Sequence, residues 1–173
     1  MSKPTTIKDA IKRWEEKNPD QSISEATDIG FQFQWPPIEK MDNSLSALTK
    51  VTKLSLSTNM IEKNCRNYIK SFSGLEGVAD TLEELWISYN FIEKVKGIQV
   101  LKKLKVLYIG NNVIKDWGEF MKFQELASLE DLLFVGNPLS DNLEESVYKA
   151  EAIKRLPRLK KLDGEPVVRE EAE

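Results

Sequence analysis

The side chains that most often carry catalysis are scarce in this sequence. None of the 173 residues is a histidine, which removes His-based triads, histidine zinc ligands and the commonest general base. The single cysteine, Cys65, has no histidine or other base near it in sequence, so a reactive role is disfavoured. The acidic pairs Glu83/Glu84 and Glu144/Glu145 are more typical of solvated surfaces than of acid–base catalysis. We therefore predict a protein that is not an enzyme.

Cofactor, nucleic-acid and membrane binding are also disfavoured. The sequence has no glycine-rich phosphate loop and no cluster with metal-ligand spacing, so we predict no cofactor, and Asp163-Gly164 fits a turn better than a metal or phosphate site. A net charge of −3 argues against a nucleic-acid footprint. One cysteine excludes an intrachain disulfide, and no run of about 18 apolar residues suits a membrane span. These features predict a soluble protein of a reducing, intracellular compartment.

Recognition chemistry is better represented, because apolar and aromatic residues recur at fixed spacing. The segment from Leu82 to Asn90 reads LxxLxLxxN, and the same pattern returns at 104–112 and 129–137, with an earlier copy at 51–59. The asparagines Asn90, Asn112 and Asn137 follow one another after 22 and 25 residues. This is the pattern of a leucine-rich repeat. It predicts an α/β solenoid of the 22-residue type, with a parallel β-sheet on one face, short helices on the other and helical caps at both ends.

We predict one leucine-rich-repeat domain over residues 1–173. Thr6 and Asp9 form a Thr-x-x-acid capping sequence, which predicts an N-terminal capping helix over 5–17. The repeats are expected over 31–139 and a C-terminal cap over 143–168. Two apolar patterns place the outer elements: a first strand on alternating Phe31, Phe33 and Trp35, and a C-terminal helix with an apolar stripe of Val147, Ala150, Ile153 and Leu156 or Ala152.

The positions that the repeat leaves free point away from the core and predict a partner surface. Equivalent positions of neighbouring strands stack into columns, and the column between the second and third apolar slots contains Ser55, Trp86, Tyr108 and Leu133. An apolar stripe of this kind is typical of a binding face, although packing across strands to stiffen the sheet is the alternative. The candidate partner-binding residues beside this column are Tyr89, Val106, Val135 and Asn111, with Glu84 and Asp131 as an acidic rim suited to lysines or arginines of a partner.

The repeat spacing breaks once, between the copies at 51–59 and 82–90. Asn67 marks the end of a repeat 23 residues before Asn90, but Asn59 lies only 8 residues before Asn67. About 14 residues of a 22-residue unit are therefore absent, which leaves a shortened repeat at 60–67. Either the solenoid carries a shortened repeat that bulges between two strands, or the sequence lacks a segment of the natural chain. We favour the second explanation, because each repeat buries itself only against the next.

The repeats and cap together resemble the leucine-rich-repeat light chains of axonemal outer-arm dynein. The most specific stretch is Asp-Thr-Leu-Glu-Glu-Leu-Trp-Ile-Ser-Tyr-Asn at 80–90, and further matching blocks lie at 5–11, 36–42, 56–59 and 155–164. Two departures stand out. Family members have a complete repeat where this chain has Ile61 to Arg66, and they are expected to continue past the cap into a further C-terminal segment.

The resemblance implies a non-catalytic subunit that binds a dynein heavy chain in the outer dynein arm of the ciliary axoneme, within the cytoskeleton of the cytoplasm. The expected docking site is the microtubule-binding domain at the stalk tip, contacted through the sheet face, and the expected effect is to tune ciliary motility. Tubulin is a candidate second contact. The alternative is a leucine-rich-repeat adaptor of another complex, such as a phosphatase regulatory subunit or a spliceosomal repeat protein.

Overall fold

The computed structural model describes residues 3–57 and 68–169. Within these residues the strands form one seven-stranded sheet in chain order, parallel throughout except for the last pair. The strands are β1 (Asp28–Gly30), β2 (Lys53–Ser55), β3 (Glu84–Trp86), β4 (Val106–Tyr108), β5 (Asp131–Leu133), β6 (Lys161–Leu162) and β7 (Glu165–Pro166). The α-helices are α1 (Ile7–Lys17), α2 (Trp117–Met121), α3 (Pro138–Asp141) and α4 (Glu145–Arg155), and 3₁₀ helices span Asn43–Ala47, Glu76–Val78, Ile98–Val100 and Lys122–Glu125.

The leucine-rich-repeat architecture is confirmed. The three apolar slots of the central motif, Leu82, Leu85 and Ile87, are completely buried. Between the parallel strands β1 to β6 the described chain returns over the opposite side of the core, mostly as 3₁₀ helices rather than α-helices. The returning segment of this repeat buries its apolar residues completely as well: Ile92, Val95, Ile98 and Leu101. The same alternation of strand and return segment holds the open face of the sheet in place.

The capping signal at the N-terminus is also confirmed. The Thr6 hydroxyl accepts the N–H of Asp9, and the Asp9 carboxylate accepts the N–H of Thr6, so α1 begins with a complete capping box. Thr5 lies outside the helix, where it pairs with Ile38 as a short parallel bridge. The helix therefore begins two residues later than the predicted range of 5–17.

The first strand lies earlier than the aromatic alternation predicts. Residues 28–30 form β1, with Ile29 paired to Leu54, while Phe31 donates its N–H to the carbonyl of Ser55 and is buried. Ile29 and Phe31 thus fill the second and third slots of the first repeat. Phe33 and Trp35 follow the strand and are 57% and 74% exposed, so the prediction that they belong to it, and that the repeats begin at 31, is wrong.

The C-terminal helix is rotated by about one residue from its predicted orientation. The buried positions of α4 and its end are Tyr148, Ala152 and Leu156, whereas Val147 is 46% exposed. The physical reason is an aromatic cluster: the Tyr148 ring stacks on Phe134 with ring centroids 6.1 Å apart. Val147 and Ala150, which is exposed as well, are therefore wrong as core positions, although the cap itself lies within the predicted 143–168.

Asparagine side chains join each strand-to-helix turn to its neighbours. The side-chain amide nitrogen of Asn112 lies 3.1 Å and 3.0 Å from the carbonyl oxygens of Ile87 and Ile109, and its oxygen accepts the N–H of Ile92 at 3.1 Å. Asn90 and Asn137 occupy equivalent positions with equivalent bonds. These amides therefore satisfy backbone groups of the buried turns.

The irregular spacing falls between two strands that contact each other directly. Leu54 of β2 pairs with Leu85 of β3, so one step along the sheet uses 31 residues there. Ile69 donates its N–H to Asn90 as Ile92 does to Asn112, which places residues 68–90 in a repeat of ordinary length. The shortened repeat expected at 60–67, which contains Cys65 and Asn67, lies outside the described residues, as does Asn59 just before it.

No helix within the described ranges is long and apolar enough to cross a membrane. The same ranges contain no group of three or more histidine, cysteine, aspartate or glutamate side chains placed to hold a metal ion.

Candidate partner-binding face

The register of the sheet builds the predicted columns. Ser55 pairs with Trp86, Trp86 with Tyr108, and Tyr108 with Leu133. The adjoining column contains Lys53, Glu84, Val106 and Asp131, with Asp28 and Lys161 added at its two ends. The three large side chains of the first column are half-buried: each packs against its neighbours in the column, and part of it stays on the surface. They are Trp86, Tyr108 and Leu133.

The aromatic column is ordered by stacking. The Trp86 and Tyr108 rings lie 5.4 Å apart with an interplanar angle of 20°. The Lys53 ammonium lies 4.2 Å from the centroid of the Trp86 ring, in the geometry of a cation–π contact. A stack of this kind is worth about 0.5–1.5 kcal/mol beyond the burial of the rings, so it also stiffens the sheet. The stack therefore fixes the relative orientation of the two rings on this face.

The two predicted rim carboxylates both interact with the aromatic column. Glu84 accepts the indole N–H of Trp86 at 2.6 Å, and Asp131 accepts the Tyr108 hydroxyl at 3.4 Å while lying 3.9 Å from the Lys161 ammonium. Burial raises the pKa of the Asp131 carboxyl above its usual 3.8, although Lys161 and the Tyr108 hydroxyl act in the opposite direction. Burial, followed by the negative charge of Asp131, likewise raises the pKa of Tyr108. These carboxylates orient the aromatic rings as well as lining the rim.

The turn that follows the strands carries further candidate residues in one repeated conformation. Tyr89 and Asn111 have φ angles of 57° and 55°, and Gly136 has 89° at the equivalent position. Asparagine and glycine adopt this left-handed conformation at low cost, whereas tyrosine rarely does. Tyr89 is thus held in an unusual backbone conformation at the edge of the face.

The remaining predicted residues differ in accessibility. Val135 is 47% exposed and continues the apolar stripe at the end of β5, and Val106 is half-buried between Glu84 and Asp131. Ser55 is 8% exposed, so the structure brings it into the column but leaves little of it for a partner.

Two lysines of this face had not been selected from the sequence. Lys53 and Lys161 lie in the column of Glu84 and Asp131, where they contact Trp86 and Asp131 respectively. The strand register contained the signal for Lys53. Lys53 reaches Trp86 because β2 and β3 are neighbours in the sheet.

The face combines apolar, aromatic and charged groups. Its centre is apolar and aromatic, and its margin carries both acidic and basic groups. Trp and Tyr at the centre of such a face are typical anchors of protein interfaces.

Comparison with known sequences identifies the family. A profile described as Leucine Rich repeats (2 copies) matches residues 80–120. Dynein axonemal light chain 1 of Bos taurus is 57% identical over 188 residues, covering 100% of this chain and 98% of the relative. The protein of the same name from Chlamydomonas reinhardtii is 48% identical over 191 residues, covering 100% of this chain and 96% of the relative.

Solved structures agree on the fold. The structure titled Drosophila melanogaster SNF/U2A′ complex matches with a TM-score of 0.66 at 15% identity, covering 84% of this chain and 82% of that one. A leucine-rich-repeat protein of Leptospira interrogans matches with a TM-score of 0.52 at 25% identity, covering 72% of this chain and 28% of that one. At the lower identity the likeness concerns the repeat architecture alone.

The lengths of the aligned sequences bear on two expectations: the residues missing from one repeat, and the further C-terminal segment of relatives. The bovine match extends over 188 residues against 173 in this chain, a difference of 15 beside the roughly 14 that the repeat count predicts to be absent. Relatives were also expected to continue past the cap into a further C-terminal segment, but the match already covers 98% of the bovine protein, so this expectation is wrong for that relative. With about half of all residues identical from end to end, and with the repeat architecture and open aromatic face in place, this chain belongs to the dynein axonemal light chain 1 family.

Proposed function

We propose that this chain is a non-catalytic dynein subunit that binds a heavy chain through the open face of its sheet. The observation that carries the proposal is the stacked pair of Trp86 and Tyr108 on that face. Both large aromatic side chains are half-buried and keep part of their surface accessible on that face. The family supplies the class of partner, because its members are named as light chains of axonemal dynein.

The proposed contact is centred on Trp86, Tyr108 and Leu133, with Tyr89, Val106 and Val135 around them. Within the heavy chain, the proposed docking site is the microtubule-binding domain at the tip of the stalk. A rigid subunit fixed there would alter how the motor engages the microtubule and so tune ciliary motility, and tubulin lies within reach as a second contact. The proposed location is the outer dynein arm of the axoneme.

The central test removes both rings. We expect Trp86→Ala combined with Tyr108→Ala to weaken binding of the purified stalk-tip domain at least about 100-fold, since buried aromatic anchors each contribute about 2 kcal/mol or more. Isothermal titration calorimetry measures the affinity, and circular dichroism checks that the double variant remains folded. Some loss of thermal stability is expected, because the stack itself contributes to the sheet.

The matched control is Val147→Ala, which trims an exposed apolar side chain of α4 away from the sheet face. This variant should bind like the wild type. Unchanged binding of the stalk-tip domain by the folded double variant would contradict the proposed face. Co-fractionation with isolated axonemes separates this function from that of an adaptor in a nuclear or cytosolic complex.

A further inference from the structure

A groove at the N-terminal end of the solenoid is separate from the aromatic column. It lies between α1 and the loop that follows β1, two strands away from Trp86 and thus about 10 Å along the sheet. Its volume is about 290 Å³. The side chains that shape it are Arg13, Trp14, Lys17, Gln32, Phe33 and Gln34.

The groove is positively charged, although the chain as a whole carries −3. Ala10, Arg13, Trp14 and Lys17 share one face of α1, with no carboxylate among the groove residues. Arg13 donates to two neutral acceptors, the Gln34 side-chain oxygen at 2.9 Å and the Thr5 hydroxyl at 3.2 Å. The ion pairs within the described residues include neither Arg13 nor Lys17.

Phe33 forms an apolar wall of the groove, and its backbone conformation is unfavourable for a bulky residue. Phe33 has a φ of 59°, the same left-handed turn conformation that Asn111 and Gly136 adopt in later repeats. A bulky side chain is unfavourable in this conformation, and the Phe33 side chain is 57% exposed, so it gains little burial in return. Residues held this way without a structural benefit often mark a binding site.

We propose that this groove binds an extended acidic segment of a partner polypeptide that carries one large apolar side chain. Carboxylates of the segment pair with Arg13 and Lys17, and its apolar side chain packs between Phe33 and Trp14. Arg13 and Lys17 form none of the close ion pairs of the described residues, although Asp9 interacts electrostatically with Arg13, and their positive charges define the charge of the ligand. The two aromatic rings define its anchor. This site does not depend on the proposed heavy-chain contact at Trp86 and Tyr108.

The test uses a fluorescein-labelled peptide of one phenylalanine flanked by three glutamates on each side, titrated with the full chain and followed by fluorescence anisotropy. We expect saturable binding that weakens as NaCl rises from about 0.05 M to 0.3 M, because exposed ion pairs are screened. Lys17→Gln should weaken binding about fivefold, the upper range for one exposed charge pair. Phe33→Asn should weaken binding of the peptide more than Lys17→Gln does. It should also keep the turn conformation, because asparagine occupies the equivalent position at Asn111.

Lys12→Gln is the matched control, because Lys12 lies on the opposite side of the same helix and should leave the affinity within about twofold. If Lys12→Gln and Lys17→Gln lowered the affinity for the peptide equally, the effect would come from the net charge of the chain rather than from the groove, and this result would overturn the proposal. So would equal competition by a single-stranded oligonucleotide of the same net charge, or retention of affinity by Phe33→Asn. The Trp86 and Tyr108 variant should bind this peptide normally, which keeps the outcome distinct from that of the heavy-chain test.

Discussion

Asn112 shows how one side chain can join three segments of a repeat protein. Its amide nitrogen serves carbonyls of its own turn and of the preceding repeat, and its oxygen accepts the N–H of Ile92. The side chain is 3% exposed, so water cannot readily replace these bonds. The asparagine of the motif is therefore fixed by backbone hydrogen bonding rather than by packing.

Removal of this amide should be costly for a single buried polar residue. We expect Asn112→Ala to lower the free energy of unfolding by about 2–4 kcal/mol, because buried backbone groups in two repeats lose their partners. Urea denaturation followed by circular dichroism measures the change. Asn142→Ala, at the exposed end of α3, is the control and should stay within about 0.5 kcal/mol of the wild type. A loss at Asn112 no larger than this control would show that the amide network adds nothing.

At the scale of elements, Glu119 links α2 to the preceding repeat. Its carboxylate accepts the N–H of Val95 at 2.8 Å and contacts the ammonium groups of Lys122 at 2.6 Å and Lys94 at 3.8 Å. Burial is the largest single influence and disfavours ionisation. The hydrogen bonds from Lys122 and Val95, together with the positive charges, outweigh it and hold the pKa of this carboxyl below its usual 4.5.

The lowered pKa predicts a pH-dependent contribution to stability. A carboxyl with a depressed folded-state pKa stabilises the fold above the unfolded pKa, near 4.5, and this contribution disappears as the pH falls through the folded value. We expect Glu119→Gln to be about 1 kcal/mol less stable than the wild type at pH 7, because a charge-assisted bond becomes a neutral one. Thermal unfolding from pH 7 down to pH 3 should show the two proteins converging, and a constant difference would contradict this role.

The elements also show what sequence patterns can and cannot predict. The three central repeats and the columns of Trp86, Tyr108 and Leu133 follow directly from LxxLxLxxN, because each slot position fixes which face a side chain occupies. Phe33 and Trp35 were misplaced because alternation alone does not say where a strand stops, and the stop is set by pairing of Ile29 with Leu54. The rotation of α4 likewise depends on the contact between Tyr148 and Phe134, which are distant in sequence.

At the scale of the whole molecule, the C-terminal end of the solenoid is closed by one carboxylate. Asp163 accepts the N–H groups of Phe134 at 2.6 Å and Val135 at 3.0 Å, and it also accepts the Tyr148 hydroxyl at 2.9 Å. Its carboxylate thereby replaces the backbone carbonyl that a further strand would offer, as Tyr108 offers its carbonyl to the N–H of Ile87. Burial and the negative charge of Asp163 together raise the pKa of Tyr148 far above its usual value, so this hydroxyl remains a donor throughout the ordinary pH range.

Loss of the Asp163 contacts should lower stability more near the C-terminal cap than elsewhere, because each repeat is stabilised mainly by its neighbours. We expect Asp163→Ala to cost about 2–4 kcal/mol through three lost hydrogen bonds and a φ of 49° that alanine tolerates poorly. Hydrogen exchange measured by mass spectrometry should show faster exchange across 131–168 and little change across 28–56. Uniform acceleration along the chain would mean that the solenoid unfolds as one unit and that the cap has no local role.

The column that runs from Asp28 to Lys161 across the sheet has a consequence for where a partner can sit. From β1 to β6 its charges read acidic, basic, acidic, neutral, acidic and basic: Asp28, Lys53, Glu84, Val106, Asp131 and Lys161. If a partner shifted by one strand, about 4.8 Å, most of its charged groups would face a residue whose charge is opposite to that of the residue they faced before. Misaligned complexes are thereby disfavoured by repulsion. The order of charges therefore favours one alignment of a partner along the sheet. Because β2 contacts β3 directly, the charges of Asp28 and Lys53 lie at the ordinary strand spacing from those of the later strands.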